Sequence, residues 1–431
     1  MSIITPVRDV AREQAVFRKV VLRIVPFLML CYVISYLDRV NVGFAKLQMS
    51  SDLNFSEAAF GLGAGLFFIG YFIFEVPSNM ILQKVGAKVW IARIMITWGL
   101  ISGSFMFVNN ETMFYVLRFL LGVAEAGFYP GVILYCTFWF PSHRRARVIA
   151  MFMSAIPLAG IFGNPLSGWI MGTFDEVGGL GGWQWMFIIE AIPALLVGVW
   201  TLFYLDSSVQ KAKWLTQEEK DIVEAAVAED VAHQTHHRLR DAFREPKVWL
   251  MCLIYFCFVM GQYALTFWMP TFVKSTGIKS ELTIGVLAAI PYIAALIAMN
   301  LFGHSADRRR ERRWHLIIPA LLGAVGFSMS AVFTGSTVLA LISLSIAAAG
   351  VLTCAPLFWS LPTAFLGGSA AAAGIAVVNS VGNLAGFVSP YMIGAVKDAT
   401  GSVEVPMFIL SGILLLGALC VFSTRKDVVN R

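Results

Sequence analysis

Apolar and polar positions fall in long blocks along this chain. Twelve apolar runs lie near 22–44, 57–82, 88–109, 112–140, 146–172, 183–205, 247–273, 282–303, 314–334, 337–362, 368–396 and 405–423. A helix crosses a bilayer with about 20 mostly apolar residues. Lipid offers no partners to backbone N–H and C=O groups, so a run of this kind must bond within itself, as a helix does. Several connections are very short, such as Asn109-Asn110-Glu111 and Thr334-Gly335-Ser336-Thr337. One is long and polar, 206–246, and it falls at the middle of the chain. The pattern predicts an all-α membrane protein of twelve transmembrane helices in two six-helix bundles, 1–205 and 247–431, joined by a central loop, 206–246.

The loop holds one readable element. Thr216-Gln217-Glu218-Glu219 is a capping box opening a short amphipathic helix to about Asp230. His233, His236 and His237 after it read as solvated linker. The halves also echo each other. Leu158-Ala159-Gly160 precedes Pro165, and Leu384-Ala385-Gly386, 226 residues on, precedes Pro390. Duplicated six-helix halves with a site between them at mid-membrane are a transporter plan.

Composition narrows the class. The chain is 58% hydrophobic and only 13% charged, where soluble domains carry about 25% charged residues. A soluble enzyme, a nucleic-acid binder and a disordered chain are excluded. The net charge of +6 then reflects loop topology. With both termini in the cytoplasm, 26 of the Lys and Arg residues fall on the cytoplasmic side. Four fall outside, Lys46, Lys274, Lys279 and Lys397, and Arg39 and Arg118 lie within spans. That asymmetry orients the chain. The six cysteines lie in apolar runs with no C-x-x-C spacing, and the six histidines map to loops or span ends with no H-E-x-x-H. No disulfide frame, metal site, cofactor or metal-dependent enzyme is expected, nor a cleavable leader. The expected partner at this point is the bilayer, with the chain a monomer.

Ionisable residues inside a membrane default to function. Asp38, Arg39, Glu75, Arg118, Glu125 and Glu190 all belong to the first half. The second half offers Gln262, Tyr263, Tyr292, Trp359, Asn379 and Asn383 instead. At 1.5 Å rise per residue, Asp38, Arg39 and Arg118 reach one depth, and Glu125 lies two turns past Arg118, roughly 10 Å deeper. Arginine keeps its proton and suits a fixed anion-binding charge. A carboxylate in low dielectric can load and release a proton. Glu75 and Glu190 read as structural.

The stretch Gly303-His304-Ser305-Ala306-Asp307-Arg308-Arg309-Arg310-Glu311-Arg312-Arg313 resembles the G-x-x-x-D-R-x-x-R-R loop of the major facilitator superfamily. The matching loop between the second and third spans keeps Gly86 and Lys88 but lacks the acidic residue. Arg118 to Gly122 resembles that superfamily's R-x-x-x-G motif. Tyr36-Leu37-Asp38-Arg39-Val40-Asn41 resembles the signature of its anion:cation symporter family. Phe74–Asn79, Phe358–Pro362 and Gly374–Asn383 are similar to the branch with tartrate, phthalate and 4-hydroxyphenylacetate permeases. The resemblance implies a proton-coupled importer of a small carboxylate, tartrate-like or aromatic, in the inner membrane. It implies Arg39 and Arg118 on the substrate carboxylate and Asp38 and Glu125 as proton-coupling acids. Tyr36, Tyr71, Trp359 and Asn379 would line the site, and Asp307 and Arg308 would gate it. Ile156, where sugar-acid members carry Gln, favours a less hydroxylated anion. Gly160 to Pro165 resembles a drug-antiporter motif with Asn164 inserted, so a proton-driven efflux antiporter for amphipathic compounds is the alternative.

Overall fold

A computed structural model describes residues 10–231, 245–365 and 370–424. His233, His236 and His237 lie outside these residues. The described chain is helical and makes twelve crossings. The first six spans are Val10–Asp52, Glu57–Val85, Ala87–Ser104, Glu111–Glu125 continued by Phe128–Trp139, Ser142–Met153 continued by Ala155–Phe174, and Gly182–Tyr204. The last six are Pro246–Lys274, Glu281–Arg309, Arg313–Val332, Thr337–Phe358 continued by Ser360–Phe365, Ala370–Asn383 continued by Ala385–Thr400, and Glu404–Phe422.

Ten segments are long and apolar enough to cross a membrane on those grounds alone. The fifth and eleventh are not among them. Each is broken, at Ser154 and at Leu384, and each is rich in small residues. Those residues serve packing. A Cβ on Gly168 would sit 2.4 Å from the Glu281 carbonyl oxygen, and one on Gly394 would sit 2.2 Å from that of Glu57. Likewise Gly285 meets the Asn164 carbonyl oxygen and Gly61 that of Pro390, each at 2.4 Å. The fifth span thus packs on the eighth as the eleventh packs on the second. Gly168 and Gly394 are 226 residues apart, the offset of the sequence echo, so the halves are pseudo-symmetric.

All these approaches lie toward the face opposite the chain ends, here the distal face. Three further contacts close it. Asp398 accepts the N–H groups of Glu57 at 3.1 Å and Ala58 at 2.7 Å, capping the second span from the eleventh. Lys397 pairs with Glu57 at 2.6 Å, and Lys274 donates to the Leu47 carbonyl at 3.0 Å. On the outer perimeter large apolar side chains stand free, Phe203 at 79% exposure and Leu419 at 66%. A continuous apolar belt of this kind has no aqueous role and faces lipid.

The central loop's capping box is formed. Glu219 N–H donates to Thr216 Oγ1 at 3.3 Å, and Thr216 N–H donates to Glu219 Oε2 at 2.9 Å. It opens the helix Gln217–Val231. The Lys19 ammonium, 2.8 Å from Glu219, holds that carboxyl below the usual carboxylate range, helped by the Thr216 N–H.

Candidate functional site

Between the halves lies a cavity of about 60 Å³. Tyr32, Tyr36 and Arg39 reach it from the first span at spacings of four and three, one face of a helix. Phe68 and Tyr71 come from the second span, Tyr129 from the fourth, Met153 and Ile156 from the fifth. The second half contributes Tyr255, Gln262 and Tyr263 from the seventh span, Ala355 from the tenth, and Asn379 and Asn383 from the eleventh. Tyr36 joins the halves. Its hydroxyl accepts from Gln262 Nε2 at 3.2 Å and lies 3.4 Å from Thr266 Oγ1.

The charge centre is an ion pair. Arg39 holds Glu125 Oε1 through Nη2 and, at 3.0 Å, through Nε. Ser35 Oγ donates to the same oxygen at 2.7 Å. The Arg39 guanidinium also lies over the rings of Tyr36, Phe67 and Tyr71 at 5.6, 5.3 and 5.7 Å. Glu125 is the last residue of its helical segment. Gly127, at φ +87°, turns the chain there, and a Cβ on it would strike Ser78. The break leaves Glu125 at a helix end, level with Arg39. Depth counting put Glu125 away from the first-span arginine. The structure corrects this, because the two side chains are in direct contact.

Four of the expected binding and coupling residues do not line the cavity: Glu125, held by Arg39, and three that face elsewhere. Arg118 is 1% exposed and does not reach the cavity. Its Nε and Nη2 donate to the Gly63 and Ala64 carbonyls at 3.4 and 3.1 Å, and its charge lies over Phe67 at 5.1 Å. Gly122, one turn on, brings the fourth span against the Phe67 carbonyl of the second, so R-x-x-x-G here clamps two helices. Asp38, one residue off the cavity face, turns into the first bundle. It accepts from Trp98 Nε1 at 2.7 Å, Ser102 Oγ at 2.9 Å and Asn41 Nδ2 at 3.3 Å. Trp359 stands one layer back, its ring 4.9 Å from that of Tyr255. Tyr36, Tyr71, Asn379 and Arg39 do line the cavity. Glu190, read as structural, accepts from Ser167 Oγ at 2.7 Å within the first half.

At the loop after the eighth span, Asp307 pairs with Arg312 at 2.5 Å, closing the loop on itself, and Arg308 is exposed. The tie to a neighbouring helix end comes from Arg313, whose guanidinium donates to the Phe422 carbonyl and covers that ring at 4.5 Å. A cation at a helix C-terminus complements the macrodipole.

The sequence reading missed Tyr32, Tyr129 and Tyr255 as lining residues. A signal existed for Tyr32, one turn before Tyr36. Tyr129 follows Glu125 by four residues, but the break at Ala126-Gly127 separates them, and Tyr255 lies in an apolar stretch without a charged neighbour to mark its face.

A sequence profile of the Major Facilitator Superfamily matches residues 28–390. A protein of Pseudomonas putida whose name assigns it to metabolite transport, NicT, is 50% identical over 97% of this chain and 96% of its own. A protein of Agrobacterium vitis whose name assigns it to tartrate transport is 51% identical over 97% of this chain and 94% of its own. In fold, the chain is similar to the Escherichia coli xylose transporter XylE in a partially occluded inward open conformation. The TM-score is 0.74 at 18% identity, covering 93% of this chain and 98% of that one.

Proposed function

The chain belongs to the Major Facilitator Superfamily, and from that premise we propose that it is a proton-coupled symporter importing a small organic carboxylate. The transporter class follows from the family. Substrate, proton and direction are the proposal. The observation that carries it is the ion pair between Arg39, which lines a cavity between the halves, and Glu125, which does not.

A substrate carboxylate and Glu125 compete for one guanidinium. Charge-assisted bonds are the strong ones. A proton on Glu125 weakens its hold and frees Arg39 for the substrate. A substrate carboxylate on Arg39 in turn makes protonation of Glu125 easier. The two ligands favour each other's binding, and that reciprocity is symport by linkage. Arg118 and Asp38 support this site from behind it. Residues 1–205 and 247–431 act as the two moving units, with 206–246 as tether. With both termini cytoplasmic, the closed distal face is the outer one.

Six tyrosines, Phe68 and three side-chain amides surround a single cavity-lining cation among the described residues. Aromatic walls and one guanidinium suit a monocarboxylate with a planar body. A tartrate-like dicarboxylate is the second reading, favoured by the name of the A. vitis relative. Both sit in a bacterial inner membrane, as the organisms of these relatives support.

Glu125→Gln in proteoliposomes is the test. It should keep counterflow exchange of labelled substrate and lose uphill uptake driven by a pH gradient. Full pH-driven accumulation by that variant would remove Glu125 from coupling. Outward flux under the same gradient in the wild type would favour the efflux antiporter instead.

A further inference from the structure

A second cavity, of about 660 Å³, opens on the distal face, between the ends of the first, second, seventh and eleventh spans. We propose that it is a capture site for a small carboxylate anion, occupied before the central cavity becomes accessible from that side. This rests on reading the protein as a carboxylate importer and adds to it a separate site.

Three lysines line it, Lys46, Lys274 and Lys397. Of the four basic residues assigned to the outer side, three therefore meet in one vestibule. Topology selects against basic residues there, so their gathering in one place calls for a reason. Lys46 is nearly buried, with its side chain 5% exposed, and lies 2.6 Å from Glu57 Oε2. Lys397 takes the other oxygen of the same carboxylate, also at 2.6 Å. One carboxylate thus serves two ammonium groups. Lys274 has a backbone carbonyl, that of Leu47, at 3.0 Å.

The lining carries three ammonium groups against two carboxylates, Glu57 and Glu404, which leaves a surplus of one positive charge. Glu404, which also lines the cavity, is engaged by the Ser402 hydroxyl. Asp398 is spent on the N–H groups that open the second span. Two hydroxyls in the vestibule wall, Ser50 Oγ and Thr271 Oγ1, are buried and have no hydrogen-bond partner among the described residues. A buried hydroxyl without a partner is costly. A surplus ammonium group, Lys274 without a carboxylate contact among the described residues, beside unfilled hydroxyl donors forms the recognition chemistry of a carboxylate. A cleft whose lining is net positive also raises the local concentration of anions. The same lysines hold the distal closure, so occupancy bears on the contact that must open.

The test uses purified full-length protein in nanodiscs. Ser51→Cys, on the vestibule wall, is labelled with an uncharged maleimide, with benzoate or tartrate added against chloride at matched ionic strength. The carboxylate should slow labelling at least fivefold, and Lys274→Gln should abolish most of that protection. Lys397→Gln, with a folded elution profile, should do the same, while Asn379→Ala in the central cavity should not. Equal protection with and without the lysines would overturn the proposal, as would no protection by either carboxylate in the parent. Uptake of labelled carboxylate is measured separately in proteoliposomes. Its failure would sink the import reading and leave protection to decide the vestibule.

Discussion

Arg39 and Arg118 carry the same group into the same half of the protein, yet their surroundings give them different work. Arg39 meets a carboxylate at the cavity wall. Arg118 meets two backbone carbonyls behind it. The difference changes what a conservative substitution should do. Arg118→Lys keeps the charge and loses the planar fork. Bonds to charged groups contribute about 1.5–3 kcal/mol each, so thermal stability should fall while substrate affinity stays near wild type. Thermal unfolding and equilibrium binding on one preparation check both. A loss of about 1.4 kcal/mol in binding free energy, or tenfold in affinity, at unchanged stability would return Arg118 to the substrate. In the sequence, Tyr36 and Arg39 were legible as neighbours on one face. Asp38 was not separable from them, because adjacent positions differ by rotation about the helix axis, and only packing tells which rotation faces the cavity.

The elements that close the distal face are helices meeting through glycine, and the pseudo-symmetry makes their behaviour testable in pairs. A Cβ at Gly285 or at Gly61 would fall 2.4 Å from a backbone oxygen of the opposite half. Backbone oxygen cannot swing aside as a flexible side chain can. Overpacking of this kind costs about 1–3 kcal/mol, and here the cost is confined to the state in which the distal face is closed. Gly285→Ala and Gly61→Ala should each shift the population toward distal opening. Maleimide access to Asn383→Cys from the distal side, read in sealed vesicles, should rise in both. A rise in one variant alone would show that the two crossings are not equivalent under the symmetry. The sequence carried this equivalence only as an echo of three residues, because helix–helix contact uses small residues whose spacing is loosely constrained.

For the whole molecule the open matter is orientation. The proposal places the chain ends in the cytoplasm and the lysine vestibule outside. A cysteine replacing Lys397 should label from the outside of intact cells, and one replacing Arg309 should label only after permeabilisation. The opposite pattern would invert the topology and with it the direction of the closed face.

The number and order of the spans were determined by the sequence, because exclusion from water acts on each segment where it stands. The mid-chain division of the fold and the capping box before Gln217 were legible for the same reason: their signals are local. The tertiary structure decided which charges meet. Glu125 meets Arg39 at the point where the fourth span breaks at Ala126-Gly127. Arg118 faces carbonyls because Gly122 lets the second span come close. Three lysines from the first, seventh and eleventh spans share one vestibule because the halves close there. Pairings of this kind depend on crossing angle and rotation, set by side-chain packing between segments far apart in the chain, and no local pattern records them.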